Sequence, residues 1–119
     1  MPRQIRTKRV YDRPDPKDGT RVLVDRLWPH GLKKDEAAID LWLRDVAPSA
    51  ELRRWFGHDP KRWTEFRRRY VAELDHKRAA LKPLFEAAGT VTLVFAARDP
   101  DNNNAVALAE WLKGQNSAS

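Results

Sequence analysis

The fold turns on the stretch Thr90-Val-Thr-Leu-Val-Phe-Ala-Ala97. Apart from two threonines it is apolar, it is rich in β-branched side chains, and it is too short for a buried helix. A run that is apolar on both sides of the chain needs cover on both faces, so it reads as the central strand of a parallel sheet. Gly89 before it reads as a helix C-cap, and Arg98-Asp-Pro-Asp-Asn-Asn103 after it as a loop.

The same signature recurs in Arg21-Val-Leu-Val-Asp25, a second buried strand. Residues 5–10 read as a short strand. Residues 39–45 alternate, with Ile39, Leu41 and Leu43 on one face; a strand is the favoured reading and a helix the alternative. Residues 33–38 make a short helix. Ser49 caps a second helix with Leu52, Trp55 and Phe56 at helical spacing, stopped by Gly57. Asp59 and Pro60 start a third, which shows Trp63, Phe66, Tyr70 and Leu74 on one face and runs to about residue 77. Pro83 breaks or kinks the next helical segment. Residues 104–113 form a last helix, leaving 114–119 as a frayed tail. Strands alternating with helices over 119 residues predict one α/β layered domain, residues 1–119, with a mostly parallel sheet of about four strands flanked by helices.

Composition narrows the function. Hydrophobic residues at 41% and charged residues at 34% suit a globular domain and argue against wholesale disorder. The absence of cysteine excludes disulfides, Cys-ligated metals and thiol nucleophiles. No signal peptide or membrane span is visible, so the default expectation is a cytoplasmic chain with no membrane partner. The net charge is +6, and residues 1–34, with ten Lys or Arg against four Asp, carry all of it. Such a field attracts an anion, although a solvated basic rim is the plainer account.

Ligands of parallel sheets bind outside the carboxyl ends of the strands. That rule selects two loops. Asp25-Arg-Leu-Trp-Pro-His-Gly31 offers Arg26 for a phosphate or carboxylate, Trp28 for stacking and His30 for titration near neutral pH; otherwise Arg26 pairs with Asp25 and Trp28 is core. The loop after the central strand brings Arg98, Asp99 and Asn103 to a helix N-terminus. It has no glycine-rich cradle, and Asp99 competes as a cap. His58 beside Asp59 is either an oriented base or an exposed turn residue. His30, His58 and His76 lack metal-ligand spacing, so neither a metal nor another cofactor is expected. In Arg67-Arg-Arg69 the side chains fan apart and reach Glu65 and Glu73, which favours a salt-laced solvated face over a nucleic-acid surface.

Arg9-Val-Tyr-Asp12, Arg21-Val-Leu-Val-Asp-Arg-Leu-Trp-Pro-His-Gly-Leu32, Ala47-Pro-Ser49, Trp55-Phe-Gly-His-Asp-Pro60, and Ala96-Ala-Arg-Asp99 with Asn103-Asn-Ala-Val106 closely resemble the YeaO-like family of small bacterial proteins. The resemblance covers residues 5–113. It implies a compact α/β domain in the cytoplasm and implies Arg26, Trp28, Pro29, Gly31, His58, Asp59, Arg98, Asp99 and Asn103 as motif positions. It brings no reaction with it. Longer members of the family look as though they carry Cys and His after the last strand, where this chain has Ala97 and Arg98, so thiol chemistry does not carry over.

The leading expectation is a positively lined cleft for a small anion, a nucleotide or phosphate ester. Arg26, Trp28, His30, Asp59, Arg98 and Asn103 are its binding residues; His58 or Asp99 is the base if there is catalysis. The runner-up is a nucleic-acid-associated regulator that uses the basic N-terminal third. A third class is a stress or interaction protein without pocket chemistry. Nothing in the sequence names an oligomeric state.

Overall fold

In the computed structural model, which describes residues 1–117, four parallel strands stand in the order β1-β4-β2-β3. They are β1 (Gln4–Arg9), β2 (Thr20–Leu23), β3 (Leu41–Trp42) and β4 (Thr90–Phe95). The helices are α1 (Lys34–Ala37), α2 (Ala50–Phe56), α3 (Trp63–Leu74), α4 (Arg78–Glu86) and α5 (Asn104–Ser117). β4 is central, as its apolarity on both faces requires. It pairs with β1 from Gln4↔Thr90 to Arg9↔Phe95 and with β2 from Thr20↔Val91 to Leu23↔Val94.

Alternation along the strands divides the core in two. Val22, Val91, Leu93 and Phe95 join the large cluster with Phe66, Tyr70, Leu81, Leu84, Leu108 and Leu112. Leu23 and Val94 face the other way, into a smaller cluster with Val10 and Ala37, covered by Trp28, Ile39 and Trp42. On that second face Arg21, 4% exposed, reaches Asp18 Oδ2 at 2.6 Å and donates to the carbonyls of Ala37 and Ala38. Lys8 reaches the same carboxylate at 3.2 Å. Gly19, at φ 64°, passes so close to β4 that a Cβ there would lie 2.2 Å from the Thr90 carbonyl oxygen.

Several boundaries differ from the sequence expectation. Only Leu41–Trp42 of the expected 39–45 strand pairs with β2; the chain then winds into the 3-10 turn Arg44–Val46. β3 is an edge strand, and Leu41 turns outward while Trp42 and Ile39 enter the smaller cluster. Ser49 caps α2 through Leu52 N–H. Asp59 caps Lys61 N–H, but the turn it starts, Pro60–Arg62, is 3-10 before α3 begins. α3 ends at Leu74, not near 77, and Pro83 lies inside an unbroken α4. α4 closes at Ala87, so Gly89 at φ 71° turns the chain into β4 instead of capping the helix. α5 runs on to Ser117, so the expected tail is helical from 114 to 117; 118 and 119 lie outside the described residues.

Candidate functional site

β2 and β4 are parallel neighbours, so their carboxyl ends lie side by side, joined by Val24 N–H to the Val94 carbonyl. Asp25, just past β2, fixes that junction. Its Oδ2 accepts from Ala96 N–H at 2.8 Å, and its Oδ1 accepts from Asn104 Nδ2 at 3.2 Å. Its carbonyl accepts the Trp42 indole N–H at 2.8 Å. The alternative in which Asp25 pairs with Arg26 is not what forms: Arg26 reaches Asp45 at 3.3 Å instead. Burial pushes the Asp25 carboxyl above its ordinary range, against the pull of Ala96 N–H, Asn104, Arg53 and His58.

A cavity of about 740 Å³ opens above this junction, a size typical of small-molecule sites. The loop after β2 supplies Asp25 through His30, the loop after β4 supplies Ala96 through Asp99 with Asn103 and Asn104, and α2 with its C-terminal turn supplies Arg53, Phe56 and His58. Tyr11, Ala47, Pro48 and Phe66 complete the wall. Three arginines and two histidines therefore share the lining with two aspartates.

Arg26, Trp28, His30, His58, Arg98, Asp99 and Asn103 all line this one cavity; Asp59 does not. Trp28 is a fixed wall: its indole N–H donates to the Leu32 carbonyl at 2.6 Å, and it meets Trp42 edge-on at 5.5 Å. His30 is exposed, and its carbonyl is tied to the Tyr11 hydroxyl. His58 is exposed, at φ 57°, one residue after Gly57 at φ 55°. Asp99 accepts from the N–H groups of Asp101 and Asn102 and from Asn102 Nδ2. The Asp101 N–H above all, with Asn102, holds its carboxyl below the ordinary range. Asn103 is the N-cap of α5: Oδ1 accepts from Val106 N–H at 3.0 Å and Nδ2 donates to the Asp99 carbonyl at 2.9 Å. Both ends of its amide are committed.

Sequence reasoning missed Arg53. Residues 49, 52, 53 and 56 share one helical face, so the spacing already turned Arg53 inward beside Leu52 and Phe56. Its Nε is shut off from solvent without a hydrogen-bond partner. Among the described residues, neither the Arg53 nor the Arg98 guanidinium makes a hydrogen bond or ion pair. The Arg67–Arg69 run is committed elsewhere: Arg67 to Glu110 at 3.1 Å, Arg68 and Arg69 to Glu65, whose carboxyl those bonds pull down to about 2. Among the described residues no group of three or more His, Asp or Glu could hold a metal ion, and no helix is long and apolar enough to cross a membrane.

Comparison with known proteins gives a consistent placement. The family model described as the inactive DUF488-N3 subclade matches residues 4–119. An uncharacterised protein of Mycobacterium tuberculosis (strain ATCC 25618 / H37Rv) is 48% identical over 114 residues, which span 94% of this chain and 96% of the relative. The uncharacterised protein YeaO of Escherichia coli (strain K12) is 41% identical over 111 residues, 92% of this chain and 96% of YeaO. No solved structure is a significant match. Because the match runs nearly end to end and takes in the two loops that wall the cavity, the chain belongs to the inactive DUF488-N3 subclade as a YeaO-like domain.

Proposed function

We propose that this chain is a cytoplasmic binder of a small organic anion, a phosphate ester or nucleotide, held in the cavity at the carboxyl ends of β2 and β4. The observation that carries the reading is that Arg53 and Arg98, two arginines of one cavity, have no partner among the described residues. A guanidinium is matched in shape to carboxylate and phosphate, and in a partly desolvated cavity such bonds are strong. Arg26, half-exposed and only loosely held by Asp45, stands ready at the mouth.

Binding without turnover is the better reading. The Asp99 carboxylate already accepts three donors and is weakly basic. Among the described residues no side chain hydrogen-bonds the His58 ring to orient it, which a general base needs. The family's description as inactive agrees. The basic N-terminal third gives less support to nucleic-acid binding, because Lys8, Arg9 and Arg21 are turned to Asp18, to the carbonyls of Ala96 and Ala97, and to Asp18 again.

Calorimetric titration with ribose 5-phosphate and with a nucleoside monophosphate tests the reading. Arg98→Ala and Arg26→Ala are expected to weaken binding, and Arg68→Ala to leave it alone. Steeply salt-dependent binding to duplex DNA that disappears when Arg3, Arg6, Lys8 and Arg9 are neutralised would instead favour the nucleic-acid reading.

A further inference from the structure

The cavity sets an unpartnered cation beside an acid that has acceptor capacity to spare. Arg53 is that cation, its Nε shielded and unsatisfied. Folded chains rarely keep such a donor unless something else supplies the acceptor. Asp25 is the acid. Each of its carboxylate oxygens accepts one protein donor, Ala96 N–H or Asn104 Nδ2, and each keeps a second lone pair. Arg53 and His58 lie within the electrostatic reach of that carboxylate.

An anion drawn in by Arg53 therefore meets a carboxylate. A sulfate ester offers only acceptors, so acceptor would face acceptor in a poorly solvated place, which is costly. A phosphate monoester has a second ionisation near neutral pH, with a pKa of about 6. Its monoanion keeps a P–OH group, which can donate to Asp25 while the remaining oxygens accept from Arg53 and Arg98. The exposed surfaces of Leu27 and Tyr11, both on the cavity wall, are left for the organic part of the ester.

Resting on the anion-binding reading above, we propose that Asp25 and Arg53 form a subsite that accepts phosphate monoesters and rejects sulfate esters, Asp25 taking the hydrogen bond that only a protonated oxyanion can give. Asp25 thus sets specificity and Arg53 supplies attraction.

The test is calorimetric titration of the full chain near pH 5, below the second ionisation of the phosphate so that both members of each pair are monoanions, at fixed ionic strength, with phenyl phosphate against phenyl sulfate, and with phenylphosphonate against benzenesulfonate. In each pair the first ligand is expected to bind at least about tenfold tighter, as a site built for a donor rejects an analogue that lacks it. Arg53→Met should weaken both members of a pair. Asp25→Asn, whose amide can donate, should let the sulfate and sulfonate in and narrow the gap. The unmodified chain carries the test alone should Asp25→Asn fail to fold. Equal affinity within both pairs overturns this inference and leaves the anion reading standing. No binding of any of the four overturns both. A folded Asp25→Asn chain with undiminished discrimination removes Asp25 from the role.

Discussion

At Arg53 a shielded donor has no acceptor among the described residues, and at His58 a residue with a Cβ sits at φ 57°. The first is a local cost to the fold. An unsatisfied buried polar group costs about 1–3 kcal/mol, so Arg53→Met, which keeps the length and removes the donor, should stabilise the chain by about 1 kcal/mol in urea denaturation while it weakens anion binding. The second is a steric matter. Asn tolerates the left-handed region and a β-branched side chain does not. His58→Asn should therefore stay within about 0.5 kcal/mol of the parent, and His58→Val should lose about 1–2 kcal/mol, both measurable from denaturation midpoints. Neither residue's condition was visible in the sequence. The facing of Arg53 followed from its spacing to Ser49 and Phe56, but its lack of a partner depends on what the loops after β2 and β4 bring near it.

Among the elements, those whose structure is decided locally were legible and those decided by neighbours were not. Thr90–Phe95 declared itself because a strand covered on both faces is apolar throughout. Ser49 and Asp59 were readable as caps because a cap needs only its own next few residues. Leu41–Trp42 was not, since its extent depends on pairing to β2, where Leu43 N–H meets the Leu23 carbonyl and the pairing stops. Asp59→Ala should cost about 0.5–2 kcal/mol through the lost cap and leave ligand affinity unchanged, since Asp59 is outside the cavity wall. The junction of β1, β2 and the turn Pro16–Asp18 depends on Asp18. Burial alone would raise its carboxyl, but the Asp15 N–H, Arg21 and Lys8 outweigh that and hold it below the ordinary range. A carboxyl whose folded pKa lies below its unfolded one stabilises the fold above the unfolded value, near 4, and loses that contribution as pH falls through the folded value. Asp18→Asn strips two buried or half-buried cations of their partner and should cost about 3–5 kcal/mol at neutral pH. Its deficit relative to the parent should shrink below about pH 4, where the parent loses the same charge.

Over the whole molecule, chain topology places the site. The β4–β2 adjacency makes two loops share a wall, stapled by the bond from Ala96 N–H to Asp25, 71 residues apart in sequence. The parallel-strand rule, applied to the two most apolar stretches, was enough to bring Arg26 and Arg98 to one end of the sheet. It did not sort the lining into free and committed groups: Asn103 and Asp99 spend their polar atoms on the start of α5, whereas Arg53 and Arg98 keep theirs. The +6 charge gives no such guidance, because within residues 1–34 Lys8, Arg21 and Arg26 pair with acids, while Arg3, Arg6, Arg13, Lys17, Lys33 and Lys34 are exposed and stand outside the cavity wall. The central claim is that this cavity, and no basic surface elsewhere, takes a small anion. The most direct measurement is a two-dimensional amide and arginine side-chain NMR titration of the chain with phenyl phosphate. Saturable shifts are expected at Arg26, Arg53, His58, Arg98 and the Nε–H of Arg53, with Arg67, Arg68 and Arg69 still. Shifts confined to the Arg67–Arg69 face or to β1, with Arg53 and Arg98 unmoved at saturation, would contradict it.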